Sequence, residues 1–162
     1  MIILVWGVTG CGKTTVGEAL ANELGWRFLD ADDYHPEANR EKMRAGTPLT
    51  DADRRPWLNE LRTMIDDTCN SGGNAVLACS ALKRQYREML GVDEVRVVSV
   101  LLTGSADRIA ERLSKREHAY MNPNLLTSQF DTLEPETAGL VCDNEAPVAT
   151  LTQHIIRELG LD

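Results

Sequence analysis

The stretch MIILVWGVTGCGKTTVGEAL, Met1–Leu20, decides the fold. Ile2–Trp6 is a short run of large apolar residues, suited to a strand covered on both faces. Gly7–Thr14 then reads GVTGCGKT, which matches the pattern G-x-x-x-x-G-K-[ST]. A strand before the loop and a helix after it are the context that this pattern requires. The glycines let the loop turn its N–H groups inward around phosphate oxygens, and the helix N-terminus adds its positive end. Gly7, Val8, Thr9, Gly10, Cys11 and Gly12 are therefore the expected phosphate cradle, continued by the helix start at Thr15. Lys13 would reach the β- and γ-phosphates, and Thr14 would ligate magnesium. The stretch is read as a nucleotide site, with ATP and Mg2+ expected.

Outward from this stretch the chain alternates strands and helices. The first helix is expected over Lys13–Leu24, stopped by Gly25. A short second strand follows at Arg27–Leu29, then polar, proline-marked segments without an assigned element. Thr50 with Asp53 suits a helix cap, for a run to about Cys69. Further strands are expected at Ala75–Cys79, Val95–Leu102 and Leu140–Cys142. The intervening helices would run over Leu82–Leu90, from a Ser105 cap to about Lys115, and from Pro123 to about Leu133. Val148–Leu159 closes the chain. This is an α/β pattern: a five-stranded parallel sheet with helices on both faces, in one domain over residues 1–162.

Composition narrows the function. Of the 162 residues, 25 are acidic and 17 basic, a net charge of −8. Duplex binding needs a broad basic face, so a nucleic-acid partner is not expected. The basic residues are clustered, with five in Arg40–Arg55, three in Lys83–Arg87 and four in Arg108–Arg116. Local cations in an acidic chain suit a small anion held in a pocket. MIILVW is too short and lacks the flanks of a signal peptide or membrane span, so no membrane association is expected. The cysteines at 11, 69, 79 and 142 have no paired spacing, which fits free thiols in a reducing cytoplasm.

The second strand ends in LDADDYHP, with Asp30, Asp32 and Asp33 crowded into four positions. Like charges this close need positive partners. The third strand ends VLACSALK, with Ser80 where many P-loop proteins place a metal-organising aspartate. Asp30 is then the carboxylate available to the metal, through water, and Asp32, two residues on, can point at an acceptor. There it would orient the attacking hydroxyl and take its proton. Asp33 falls outside that spacing and is expected to be solvated. His35 is either a ligand for a substrate hydroxyl or a satisfied loop residue. Neither the base-reading N-K-x-D motif of GTPases nor an L-S-G-G-Q-like transporter signature occurs.

LDADDYHPEANREKMRAGTPLTDADRRPWL, CSALKRQYRE and LLTSQFDTLEPE together resemble the gluconate kinase family of small P-loop sugar-acid kinases. The likeness runs from Ile3 to about Asp143, and its H-P-x-x-N-x-x-K-M, D-R-x-P-W-L and C-S-A-L-K blocks are unusual strings. It implies transfer of the γ-phosphate of ATP to the 6-hydroxyl of D-gluconate. It also implies the sheet order 2-3-1-4-5, a three-layer P-loop fold, a short lid at about 116–124 and a homodimer. The residues fit that chemistry. Gluconate is a carboxylate on a polyol, and Arg40, Lys42, Arg44, Arg54 and Lys83 are cations that could hold it. Arg54 and Lys83 are favoured, with Arg40 a further candidate and His35 and Asp32 at the hydroxyl end. Trp57 is either a packing surface for the sugar or core. Arg112 and Arg116 resemble the adenine-side and lid arginines of related small kinases.

Two positions depart from the family pattern. The lid reads EHAYM after Arg116, with Ala119 where a histidine is usual and His118 one place earlier. Cys11 stands where serine is common. Beside a helix N-terminus and Lys13, it is expected either to carry a lowered pKa and react, or to replace serine as an inert thiol. The rival readings are another shikimate-type kinase, a nucleoside or nucleoside monophosphate kinase, and a non-catalytic ATP-binding module.

Overall fold

The structure is a computed structural model that describes residues 1–115, 123–135 and 138–162. Five strands form one parallel sheet: β1 (Ile2–Trp6), β2 (Arg27–Asp30), β3 (Ala75–Cys79), β4 (Val97–Thr103) and β5 (Leu140–Asp143). Their order is β2-β3-β1-β4-β5, as the resemblance implied. Among the described residues seven helices accompany them: α1 (Lys13–Leu24), α2 (Glu37–Arg44), α3 (Asp51–Asn70), α4 (Arg84–Leu90), α5 (Ala106–Ser114), α6 (Pro123–Thr132) and α7 (Val148–Glu158). A 3₁₀ turn at Ala31–Tyr34 follows β2.

Side-chain alternation along β1 builds two cores. Ile3 and Val5 join Val16, Leu20, Val100, Ile109 and Ile155 on the face covered by α1, α5 and α7. Ile2, Leu4 and Trp6 join Leu58, Leu61, Ile65, Leu77 and Leu90 on the face covered by α3 and α4. All five residues of β1 are fully buried, which is why the strand reads as an unbroken apolar run. At about 25 cal/mol per Å2 of apolar surface, each such side chain contributes roughly 1.5–3 kcal/mol.

The expected elements are present, with three local differences. The polar stretch after β2 holds the 3₁₀ turn and α2, whose one buried residue is Asn39, so no apolar stripe announced it. β4 starts at Val97 rather than Val95, because the Asp93 carboxylate accepts the N–H groups of Val95, Arg96 and Val97 in a turn. α4 starts at Arg84 rather than Leu82, after a loop in which Ala81 holds φ 42°. Thr50 and Asp53 form the expected capping box of α3. No helix among the described residues is long and apolar enough to cross a membrane.

This topology gathers function at one edge. β1, β2, β3 and β5 release their chain at the carboxyl ends of the strands, where ligands bind in open parallel sheets.

Candidate active site

The phosphate loop is shaped by what packs against it. Gly12 caps α1 at φ 102°, a left-handed conformation. A Cβ there would meet Nδ2 of Asn144 at 2.2 Å, so the close approach demands glycine. Asn144, just past β5, donates from Nδ2 to the Cys11 carbonyl at 2.5 Å, turning that carbonyl out of the nest. Its own carbonyl accepts from Arg112 Nη2 at 2.9 Å, which places Arg112 beside the loop. Lys13 folds over the loop, donating from Nζ to the carbonyls of Gly7 at 3.1 Å and Val8 at 3.0 Å. Thr9, Gly10, Gly12, Lys13 and Thr14 share one cleft with Asp30, Asp32 and Ser80.

The two aspartates have different partners. Asp30 accepts the Asp32 N–H on Oδ1 at 3.0 Å and the Thr14 hydroxyl on Oδ2 at 3.3 Å. The first bond caps the 3₁₀ turn, and that turn swings Asp32 out over the cleft. The hydroxyl of Thr14 and the carboxylate of Asp30 thus converge as a small set of hard oxygen donors. This suits Mg2+, which takes few protein ligands and completes its shell with phosphate and water. The Asp32 carboxyl lies in the cleft although 84% of its side-chain surface is open. Partial desolvation raises its pKa, the Asp30 and Asp33 charges add to this, and Lys13 opposes it.

His35 is buried and stacks on Trp57, ring centroids 4.1 Å apart and planes within 17°. Trp57 is therefore core on one side and a shelf for the imidazole on the other, pinned by its Nε1–H to the Ala31 carbonyl at 2.7 Å. The buried Asn39 fixes the histidine's proton. Its Nδ2 must face the Asp53 carbonyl, at 2.9 Å, because that oxygen can only accept. The same Nδ2 lies 3.4 Å from His35 Nδ1, which makes Nδ1 an acceptor and leaves the proton on Nε2. Nε2 lies 3.9 Å from Asp32 Oδ1. Burial first, then the charges of Arg54 and Arg40, hold the His35 pKa down at about 4, so the ring is neutral.

The expected cations separate into two kinds. Arg40 is committed to the backbone, donating to the carbonyls of His35 at 3.0 Å and Asp33 at 2.7 Å, where it stitches the 3₁₀ turn to α2. Lys42 pairs with Asp53 at 2.8 Å and Arg44 with Glu37 at 2.7 Å. Arg54 and Lys83 come together instead: both lie 5.6 Å from the centroid of the Tyr86 ring. Asp51 is bound by the Tyr86 hydroxyl, by Lys83 Nζ at 3.0 Å and by Gln85 Nε2 at 3.1 Å, while Arg54 Nη1 donates to the Leu49 carbonyl at 2.7 Å and lies 3.4 Å from the Tyr86 hydroxyl. The donors on Asp51 hold its pKa down at about 2. Two cations and one anion leave this cluster with one net positive charge. The loop carrying Lys83 is braced by the buried Arg87, which stacks over Trp6 at 4.0 Å and donates to the Ala81 carbonyl at 2.8 Å. That contact steadies the left-handed Ala81.

A family model described as shikimate kinase matches residues 9–158. The chain is 48% identical to a gluconokinase of Gluconobacter oxydans, covering 82% of this chain and 74% of the relative. It is 44% identical to a gluconokinase of Arabidopsis thaliana, covering 98% and 94%. A solved gluconokinase from Sinorhizobium meliloti superposes with a TM-score of 0.81 at 38% identity, covering 98% of this chain and 90% of that one. The chain belongs to the gluconokinase family. A shikimate kinase from Aquifex aeolicus shares the fold at TM-score 0.61 but only 18% identity.

Of the two alternatives for Cys11, the structure favours the inert thiol. Its side chain is fully buried and joins the apolar core beside α1. Burial pushes its pKa up, and the charges of Lys13 and Arg112 do not reverse this. The sulfur lies in the apolar core, which disfavours the reactive-thiolate alternative. Arg116, Ala119 and His118 of the expected lid lie outside the described residues. Arg108 pairs with Glu145 at 3.2 Å and Lys115 with Glu111 at 2.6 Å, both at the surface. A wider groove, about 710 Å3, runs between β5 and α7, but it contains no phosphate-loop residue. Asn39, Asp51, Tyr86 and Asn144 were not anticipated as site residues. Asn39 lay in the quoted H-P-x-x-N string, whereas nothing in the sequence marked Asn144.

Proposed function

We propose that the chain is an ATP:D-gluconate 6-phosphotransferase, with the nucleotide on the Gly7–Thr15 side and the sugar acid between Asp32 and the Arg54–Lys83 cluster. The observation that carries this reading is the singly positive cluster on the same edge as Asp32. It matches the single carboxylate of gluconate. Asp32 accepts the proton of the 6-hydroxyl, and its raised pKa makes it the stronger base for that purpose. His35 donates its Nε2 proton to an acceptor oxygen. Lys13 leaves the loop carbonyls for the phosphates. Thr14 and, through water, Asp30 would hold Mg2+, which would supply positive charge to the phosphates. Arg112 lies on the adenine side, and Arg116, in a lid at about 116–124, stabilises the transferring group. The working unit is a homodimer in the cytoplasm, built from one domain per chain.

The relatives favour gluconate over shikimate, since the 44–48% identical proteins are gluconokinases. The test is ADP release over gluconate, other aldonates, shikimate and nucleosides, with and without Mg2+, and 31P NMR of the product. The expected result is Mg2+-dependent turnover on gluconate and a 6-phosphate ester. Faster turnover on shikimate would overturn the reading, and nucleotide binding without turnover would leave the non-catalytic module.

A further inference from the structure

The Val8–Thr9 peptide unit is gripped from both sides. Its carbonyl accepts from Lys13 Nζ at 3.0 Å. Its N–H donates to Gln129 Oε1 at 2.6 Å, across 120 residues of sequence. Gln129 also donates from Nε2 to the Thr9 hydroxyl at 3.0 Å. The amide has only one orientation here, because the Thr9 N–H can only donate and must face the oxygen. Gln129 belongs to α6, and five residues on, Glu134 holds the other side of the site. The Glu134 carboxylate accepts the Arg84 N–H at 2.7 Å, and its carbonyl accepts from Arg87 at 2.9 Å. α6 and the residues just beyond it thus touch the phosphate loop through Gln129 and, through the Glu134 N–H on the Leu82 carbonyl at 2.9 Å, the loop that carries Lys83.

We infer that Gln129 is a positioning residue for phosphoryl transfer, holding the Val8–Thr9 peptide so that its carbonyl faces Lys13 and not the phosphates. A peptide carbonyl is the negative end of its dipole. If the unit turned over, that oxygen would enter a nest whose N–H groups are meant for anions. Lys13 would also lose the carbonyl that parks it beside the phosphate site. The terminal phosphate, next to Lys13, would feel this more than the phosphates held by the α1 N-terminus. Gln129 therefore favours ATP over ADP, and this holds whichever acceptor the enzyme uses.

The experiment compares Gln129→Met, which removes both hydrogen bonds at similar length, with Thr9→Val, which removes only the hydroxyl arm. Calorimetric binding of ADP and of a non-hydrolysable ATP analogue is measured alongside kcat and Tm. Gln129→Met is expected to weaken the analogue about tenfold and ADP less than about threefold, the size that two lost neutral hydrogen bonds produce. Thr9→Val, with one bond lost, should show about a threefold effect in the same direction. Equal weakening of both nucleotides, or a fall in Tm with no change in their ratio, would make Gln129 a structural brace and overturn the inference. If Gln129→Met fails to fold, an unchanged ATP-to-ADP ratio in Thr9→Val overturns it as well.

Discussion

The nucleotide side and the acceptor side of this cleft are built by different means. The phosphate loop is one contiguous string whose shape comes from glycine backbone and a helix start, braced from outside by Asn144 and Gln129. The proposed acceptor side is assembled from residues scattered between Asp32 and Tyr86, joined by side-chain pairings such as Lys83–Asp51 and Asn39–His35. ATP's phosphates need only N–H groups, a cation and a metal, and the backbone can supply most of that. A polyol acid has to be told from other polyols, and that takes oriented side chains. Apart from its braces, the nucleotide side should therefore tolerate side-chain changes that the acceptor side does not.

The sharpest way to break this contrast is Asp32→Asn. It removes proton acceptance without disturbing Asp30, so kcat should fall about a hundredfold or more while ATP affinity changes little. Steady-state kinetics with gluconate, alongside ATP binding, checks this; kcat within a few-fold of the unaltered enzyme would remove Asp32 from the role of base.

A second effect is a pH dependence of stability from His35. Its pKa is near 6.5 in the unfolded chain and about 4 in the fold. Between those values the unfolded state binds more protons, so stability falls as pH drops through that window, by roughly 3 kcal/mol in all. Asp51 and Asp53, held down at about 2, lose their contributions only at lower pH, as they protonate below about 4. Urea unfolding from pH 7 to 4 should show the loss, and His35→Gln should flatten it. An unchanged slope in that variant would place the titrating group elsewhere.

The smallest effect lies on the nucleotide side. With its sulfur in the core and its pKa raised, Cys11 should alkylate slowly, and Cys11→Ser should keep kcat and the KM for ATP within about threefold, as expected for backbone recognition. Fast labelling that ATP–Mg2+ prevents would return the thiol to the nest.

The same contrast decides what the sequence could reveal. β1, the loop and α1 were legible because a buried strand, glycines at fixed spacing and a capped helix are all local signals. The strand order was not local, and came through likeness to a family. α2 was missed because eight residues of which six are polar, with an asparagine as the buried one, carry no periodic apolar stripe. Arg40 looked like a substrate cation, yet it binds backbone carbonyls, since sequence gives a charge but not its partner. Gln129 and Asn144 brace the loop across more than 100 residues, and no spacing rule reaches that far. Asp30 and Asp32 could be paired from the sequence because their separation of two is local: Asp30 caps the turn that begins after it, and both line one cleft.

The central claim is that the acceptor side reads a carboxylate through Arg54 and Lys83. The direct test is the ratio of kcat/KM for gluconate to that for sorbitol, its uncharged counterpart, in the unaltered enzyme and in Lys83→Met, which keeps the stem against Tyr86. The unaltered enzyme should prefer gluconate by about a hundredfold, the size of a desolvated charge pair. Lys83→Met should cut that preference about tenfold or more and leave the KM for ATP within a few-fold. An unaltered enzyme that uses sorbitol as well as gluconate, or a preference that Lys83→Met leaves intact, would contradict the claim.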